Sequence, residues 1–338
     1  MKKRYLLIII LIALTMMVLA LIFGWYEQED PALNRDTVFD ELGVARNVKL
    51  ISDVKYGNDA PNSEMDIIMP KNIKEGDKLP LIIWTHGGGY IAGDKKHKNA
   101  YLARIAERGF IIANINYALA PSHKYPVPLI QEKQAAQFMK KNTFHLPIDY
   151  NQIIIGGDSA GAQIAAQFAA LQTNELLRKE MQEEAVFTPD AIKGVILFGG
   201  LYNMDTVRET HFPRIEEFME SYTGEKYWER DFKQIDQLSV TQHITEKYPP
   251  AFLTVGDADP FESQSKELIK VLQENKIPHS SSFFDGSHQL RHQYQFHMNL
   301  KESQITYDKV IKFLSEFTDQ PLYNTLEEEP LTTKTSSK

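Results

Sequence analysis

The residues best placed to do chemistry fall in three short stretches, and the first is Gly157-Asp158-Ser159-Ala160-Gly161. It follows the apolar run Ile153-Ile154-Ile155 and precedes Ala162 to Leu171, a stretch rich in small helix formers with no breaker. Strand, five-residue turn and helix expose a serine hydroxyl at the end of a buried strand, because flanking glycines keep Cβ atoms out of a tight corner. The helix beyond the turn adds the positive end of its dipole near any charge that develops there. Ser159 is therefore the candidate nucleophile. The small Ala160 leaves its own N–H clear to face an oxyanion.

The second stretch is His86-Gly87-Gly88-Gly89-Tyr90, with Gly93 four residues beyond Gly89 and the buried-strand candidate Leu81-Ile82-Ile83-Trp84-Thr85 before it. It has neither the Gly-Lys-Ser/Thr nor the G-x-G-x-x-G spacing of a phosphate loop. Backbone N–H groups of Gly88 and Gly89, with that of Ala160, form the candidate oxyanion hole. His86 precedes the glycines on the wrong side of such a site and reads as a structural pin.

The third stretch supplies acid and base. A strand over Ala251 to Gly256 ends in Asp257-Ala258-Asp259-Pro260, and Asp259 is the favoured acid because Pro260 restricts its backbone to an extended conformation. Asp257 then takes a turn-forming role, and Asp205, after the strand candidate Gly194 to Phe198, is the third choice. His288, directly after the turn Asp285-Gly286-Ser287, is the candidate base. Ser159, Asp259 and His288 then form a triad in the order Ser, Asp, His. His288 and His292 also have the i, i+4 spacing of a helical metal pair. No glutamate follows the first histidine and the chain has no cysteine, so no metal site is expected.

Together these motifs resemble the hormone-sensitive-lipase-like branch of the α/β-hydrolases, which contains carboxylesterases, lipases and acetyl esterases. The resemblance also rests on Asn116-Tyr117-Ala118-Leu119-Ala120-Pro121 with Pro126 after it, and spans about residues 48–317. It implies an α/β-hydrolase fold: a mostly parallel central sheet flanked by helices, with a helical cap insertion. It also implies a serine carboxylesterase that forms an acyl-enzyme on Ser159 and needs no cofactor. The sequence departs from the branch at Ala118, where arginine is usual, and at Gln131, where aspartate is common. Ala162 and Phe261-Glu262 depart as well, and these positions bear on substrate class rather than reaction class.

The remaining sequence agrees with one catalytic domain over 48–317. Apolar runs at Leu81, Phe110, Gln152, Gly194 and Ala251 alternate with helical stretches such as 101–108 and 263–274, the pattern of a parallel sheet covered on both faces. Within an insertion at about 201–248, Phe212, Ile215, Met219 and Tyr222 recur near helical spacing with Glu216, Glu217 and Glu220 between them. That is either an ordinary surface helix or a cap over the acyl pocket.

The N-terminus carries Lys2-Lys3-Arg4 (cytoplasmic segment 1–4), then an uncharged stretch from Tyr5 to Trp25, then Glu27, Glu29 and Asp30 in a linker over 26–47. A retained transmembrane signal-anchor over 5–25 is expected, with the catalytic domain outside; cleavage after Val18-Leu19-Ala20 is the competing reading. Residues 318–338, with Glu327-Glu328-Glu329-Pro330, read as a disordered tail. The absence of cysteine excludes disulfides and a thiolate nucleophile, and the net charge of −8 disfavours nucleic acid as a partner. The expected partners are the membrane, through the N-terminal helix, and a small-molecule, lipid or polysaccharide ester. A peptidase or amidase on the same fold, or a non-catalytic binding module, are the rival readings.

Overall fold

The computed structural model describes residues 47–320. Two strands, β1 (Val48–Lys55) and β2 (Glu64–Pro70), lead into β3 (Leu79–Thr85), α1 (Asn99–Ala106), β4 (Ile111–Ile115) and α2 (Val127–Lys141). Then come β5 (Ile148–Asp158), α3 (Ala160–Thr173), α4 (Glu175–Met181) and β6 (Ile192–Phe198). Three helices, α5 (Ile215–Thr223), α6 (Trp228–Asp231) and α7 (Ile235–Leu238), lie between β6 and β7 (Ala251–Thr254). The chain closes with α8 (Glu262–Glu274), β8 (His279–Ser282) and α9 (Lys301–Phe317).

The eight strands form one sheet in the order β1-β2-β4-β3-β5-β6-β7-β8. From β4 to β8 the pairing is parallel, and only β1 and β2 run antiparallel to their neighbours. Every residue of β3 and β4 is buried, as continuous aliphatic runs require when helices cover both faces. Each such Leu or Ile contributes about 1.5–3 kcal/mol by leaving water. Helix α3 is buried along its entire length, which explains its run of alanines. The sequence does not announce β1, β2 or β8: β1 is mostly exposed on an edge, and β8 is four residues of His and Ser.

The strand order reverses at β3, which is flanked by β4 on one side and β5 on the other. Such a switch point opens a crevice at the carboxyl ends of the strands. The register puts Thr85 level with Gly157, so the glycine loop leaves β3 beside the point where the serine turn leaves β5. Asp158 is level with Phe198, and Phe198 with Thr254, so the acid loop after β7 emerges on the same edge.

The predicted segments 1–4 and 5–25, and 26–47 apart from its last residue, lie outside the described residues. Among the described residues no helix is long and apolar enough to cross a membrane. The first residues of the expected tail, Thr318 and Asp319, pack against the domain. Thr318 is buried and its hydroxyl donates to the Leu314 carbonyl at 2.6 Å, while the Asp319 N–H donates to Gln152 Oε1 at 2.7 Å. Residues 321–338 lie outside the described residues.

Candidate active site

Ser159 sits between β5 and α3 with φ +52° and ψ −123°, a region that costs a non-glycine residue about 1–3 kcal/mol. Its N–H donates to the Phe198 carbonyl at 2.7 Å, which ties the strained residue to β6. The turn is possible because a Cβ on Gly161 would stand 2.1 Å from the Thr85 carbonyl oxygen, so only glycine lets α3 start this close to β3.

The structure brings Ser159 and Asp259 together as predicted, but the histidine between them is His292 rather than His288. His292 Nε2 lies 2.9 Å from Ser159 Oγ, and its Nδ1 lies 2.7 Å from Asp259 Oδ2. The Asp259 side chain is fully buried, and its other oxygen accepts the Phe261 N–H at 3.0 Å.

His288 points elsewhere. Its ring stands 3.3 Å from Asp285 and 3.7 Å from Asp257, edge-on to Phe284. Asp257 accounts for the difference: its carboxylate accepts the N–H groups of His288 at 2.9 Å and Leu290 at 2.6 Å, and the Ala258 N–H donates back to the Leu290 carbonyl. Asp257 thus pairs with Leu290, and two residues further along each chain Asp259 meets His292. Burial works to raise the Asp257 carboxyl, but the backbone donors outweigh it and hold the group below its ordinary range. The segment carrying His288 and His292 is a loop, not a helix, so the i, i+4 metal-pair geometry does not arise. Asp257, Asp285 and His288 bring ligand atoms within 4.8 Å of one another, yet Asp257 already gives its oxygens to the loop backbone.

Gly88 and Gly89 both have positive φ, +123° and +59°, and a Cβ on Gly88 would stand 2.0 Å from the Ala92 carbonyl oxygen. Among the described residues, the N–H groups of Gly88, Gly89 and Ala160 have no acceptor, whereas the Gly87 N–H donates to Asp158 Oδ2 at 3.0 Å. Asp158 is buried and also accepts from Trp84 Nε1 at 3.1 Å. His86 is buried and stacked on Tyr117, its Nδ1 2.6 Å from the Gly87 carbonyl. Burial pulls its pKa down to about 4, so it stays neutral and acts as the pin the sequence suggests.

The segment between β6 and β7 faces these loops. Tyr222 of α5 stacks on Tyr90 with centroids 3.7 Å apart, and Phe212 meets the His292 ring at 4.8 Å. The Phe218 ring lies against Gly89, three of its atoms 2.7–2.8 Å from where a Cβ would stand. Gln163 links Tyr90 to the Leu238 carbonyl, and Gln167 links Tyr125 to the Gln237 carbonyl. Two of the sequence departures meet as well: Gln131 Oε1 accepts the Ala118 N–H at 2.7 Å. A groove of about 1090 Å³ is lined by Pro121, Lys124, Glu217 and Lys226, and also by Phe212, whose ring meets that of His292.

A serine hydroxyl bonded to an imidazole, the imidazole bonded to a buried carboxylate, and free N–H groups alongside can carry out nucleophilic acyl transfer. Sequence reasoning weighed His292 only as half of a metal pair. The nearest local signal is Leu290, an apolar residue that is buried two positions before His292.

A BD-FAE family model matches residues 65–272 of the chain. Esterase LipQ of Mycobacterium tuberculosis is 27% identical over 231 residues, covering 66% of this chain and 52% of that protein. Carboxylesterase NlhH of the same organism is 33% identical over 96 residues, 28% of this chain and 30% of that protein. The chain spans about half the length of the curated relatives it matches over its longer alignments. Among solved structures, esterase B from Lactobacillus rhamnosis superposes with a TM-score of 0.71 at 20% identity, over 90% of this chain and 96% of that one. The strand order, the loops at its switch point and the family match over well over half the sequence lead to one assignment: the chain belongs to the BD-FAE family, among the hormone-sensitive-lipase-like α/β-hydrolases.

Proposed function

We propose that the protein is a serine carboxylesterase acting on short- to medium-chain acyl or acetyl esters, with Ser159, His292 and Asp259 as its triad. The observation that carries this reading is the continuous hydrogen-bonded path from Ser159 Oγ through His292 to Asp259, at 2.9 and 2.7 Å. His292 Nε2 takes the hydroxyl proton as Ser159 Oγ attacks the ester carbonyl. The N–H groups of Gly88, Gly89 and Ala160 receive the oxyanion. The carbonyl re-forms as the alkoxide departs with the proton from His292, leaving an acyl-enzyme on Ser159. Water, deprotonated by the same imidazole, then releases the acid. Asp259 holds the imidazole in the tautomer that accepts at Nε2. The relatives named esterase and carboxylesterase favour an ester over an amide as substrate.

The test is Ser159→Ala assayed on p-nitrophenyl acetate and butyrate and with a serine-directed phosphonate. Hydrolysis and labelling are both expected to vanish while the melting temperature holds. Residual turnover above a small percentage would move the nucleophile to another residue.

The proposal also places the enzyme at the membrane with its catalytic domain outside, and its support is the charge step across the uncharged stretch from Tyr5 to Trp25. Full-length protein that fractionates with membranes and is degraded by protease added to intact spheroplasts is the expected result. A soluble secreted form beginning near Leu21 would make the segment a signal peptide instead.

A further inference from the structure

Asp158 places a buried carboxylate one residue before the nucleophile, where an unbalanced negative charge would oppose an oxyanion forming at the same turn. Among the described residues one cation reaches it. Lys98 Nζ lies 3.1 Å from Asp158 Oδ2, its side chain only 14% exposed, with its ammonium 4.0 Å over the Phe296 ring. The lysine is held there by its own turn, a 3-10 segment over Lys95–Lys98 capped by Asp94, whose Oδ1 accepts the Lys96 N–H. Lys95 anchors that turn from beneath, fully buried and paired with Asp53 at 2.6 Å and Asp66 at 3.0 Å. The other partners of Asp158 are neutral donors from three further places in the fold: Trp84 on β3, Gly87 in the glycine loop and Gln293 beside His292. With its amide nitrogen toward Asp158, Gln293 donates to Oδ2 at 3.2 Å and accepts the Ser159 N–H at 3.3 Å.

We infer that Lys98 is a positioning residue for acyl transfer, acting through Asp158. Its charge neutralises the carboxylate, so Asp158 can gather the glycine loop, the serine turn and the His292 loop around one acceptor without setting a net negative charge beside the oxyanion. Trp84, Gly87 and Gln293 supply hydrogen bonds but no charge, so they cannot replace it. The inference rests on the serine-esterase reading of the site.

The test is a charge cycle in the full-length protein, read as kcat and KM on p-nitrophenyl butyrate with melting temperatures alongside. Lys98→Met, which leaves Asp158 unbalanced, is expected to lower kcat tenfold or more with KM within about twofold, the pattern of an interaction lost in the transition state. Lys98→Arg, which keeps the charge, should hold kcat within about threefold. The decisive variant is Lys98→Met with Asp158→Asn, which removes both charges and should recover most of the lost kcat. A purely structural role predicts the opposite, because the double variant loses more hydrogen bonds than the single one. Unchanged kcat in Lys98→Met, or no recovery in the double variant, overturns the inference. Should Lys98→Met fail to fold, Lys98→Gln carries the same expectation and the same refutation. Ser159→Ala in the same assay separates the two ideas: activity surviving there sinks the esterase reading, whereas a dead Ser159→Ala beside an unaffected Lys98→Met sinks only the role of Lys98.

Discussion

Exchanging His292 for alanine removes the group between Ser159 and Asp259 and is expected to cost about 10³-fold or more in kcat/KM. Exchanging His288 should leave hydrolysis near the wild-type rate, because its ring lies among Asp285, Asp257 and Phe284 rather than at Ser159, and alanine keeps the backbone N–H that bonds Asp257. Parallel assays of the two variants check this, and the reverse ranking would restore His288 as the base. The two aspartates separate in the same way. Asp259→Asn leaves the imidazole in the wrong tautomer, a change worth on the order of 10⁴ in well-studied triads. Asp257→Asn weakens the clamp on the His288 and Leu290 N–H groups, and should lower the melting temperature more than it lowers kcat.

Helix α5 buries Ile215, Met219 and Tyr222 and exposes Glu216, Glu217 and Glu220, the division its spacing predicts. What its partly buried face does depends on the loop beneath. Phe218 covers Gly89 and Tyr222 stacks on Tyr90, so the helix and the glycine loop share a wall next to the N–H groups proposed to receive the oxyanion. Phe218→Ala is therefore expected to raise kcat/KM for octanoyl relative to acetyl p-nitrophenyl esters by about tenfold, since a vacated ring makes room for about two methylenes at about 0.8 kcal/mol each. An unchanged acyl-length profile would show that the acyl chain runs elsewhere. Gly89→Ala attacks the same contact from below and should abolish activity, because its Cβ would collide with the Phe218 ring at a φ of +59°.

Stability of the whole molecule carries a pH signature set far from the triad. Glu132 on α2 is fully buried and has no ion-pair partner among the described residues, and burial raises its carboxyl well above the ordinary 4.5. The folded state therefore keeps this proton after the unfolded chain has lost it. The associated loss of stability is absent below pH 4.5 and grows as pH rises, by about 1.4 kcal/mol per unit, until the folded-state carboxyl itself ionises. Glu132→Gln removes this liability while keeping the shape. Its melting temperature should exceed that of the parent at pH 7.5 and converge with it near pH 4.5. A constant difference across that range would mean that Glu132 is not held protonated.

The local sequence determined the elements that carry the candidate chemistry. Ser159 between Gly157 and Gly161, the glycines after Thr85, and Asp259 before Pro260 are legible because strand ends, tight turns and close backbone approaches each demand particular residue types. Buried parallel strands are equally legible as aliphatic runs. Strands β1 and β8 are not, since an edge or short polar strand is defined by its neighbours rather than by its own composition. Only the tertiary structure chose the histidine. Both candidates lie in one irregular loop, and the selection is made by Asp257, 33 residues before Leu290, through hydrogen bonds to the loop backbone. The same holds for Lys98, which reaches Asp158 across 60 residues of sequence because the turn after the glycine loop folds back beneath the serine. A pairing between two loops depends on where the sheet brings them, and that register is written in no single segment.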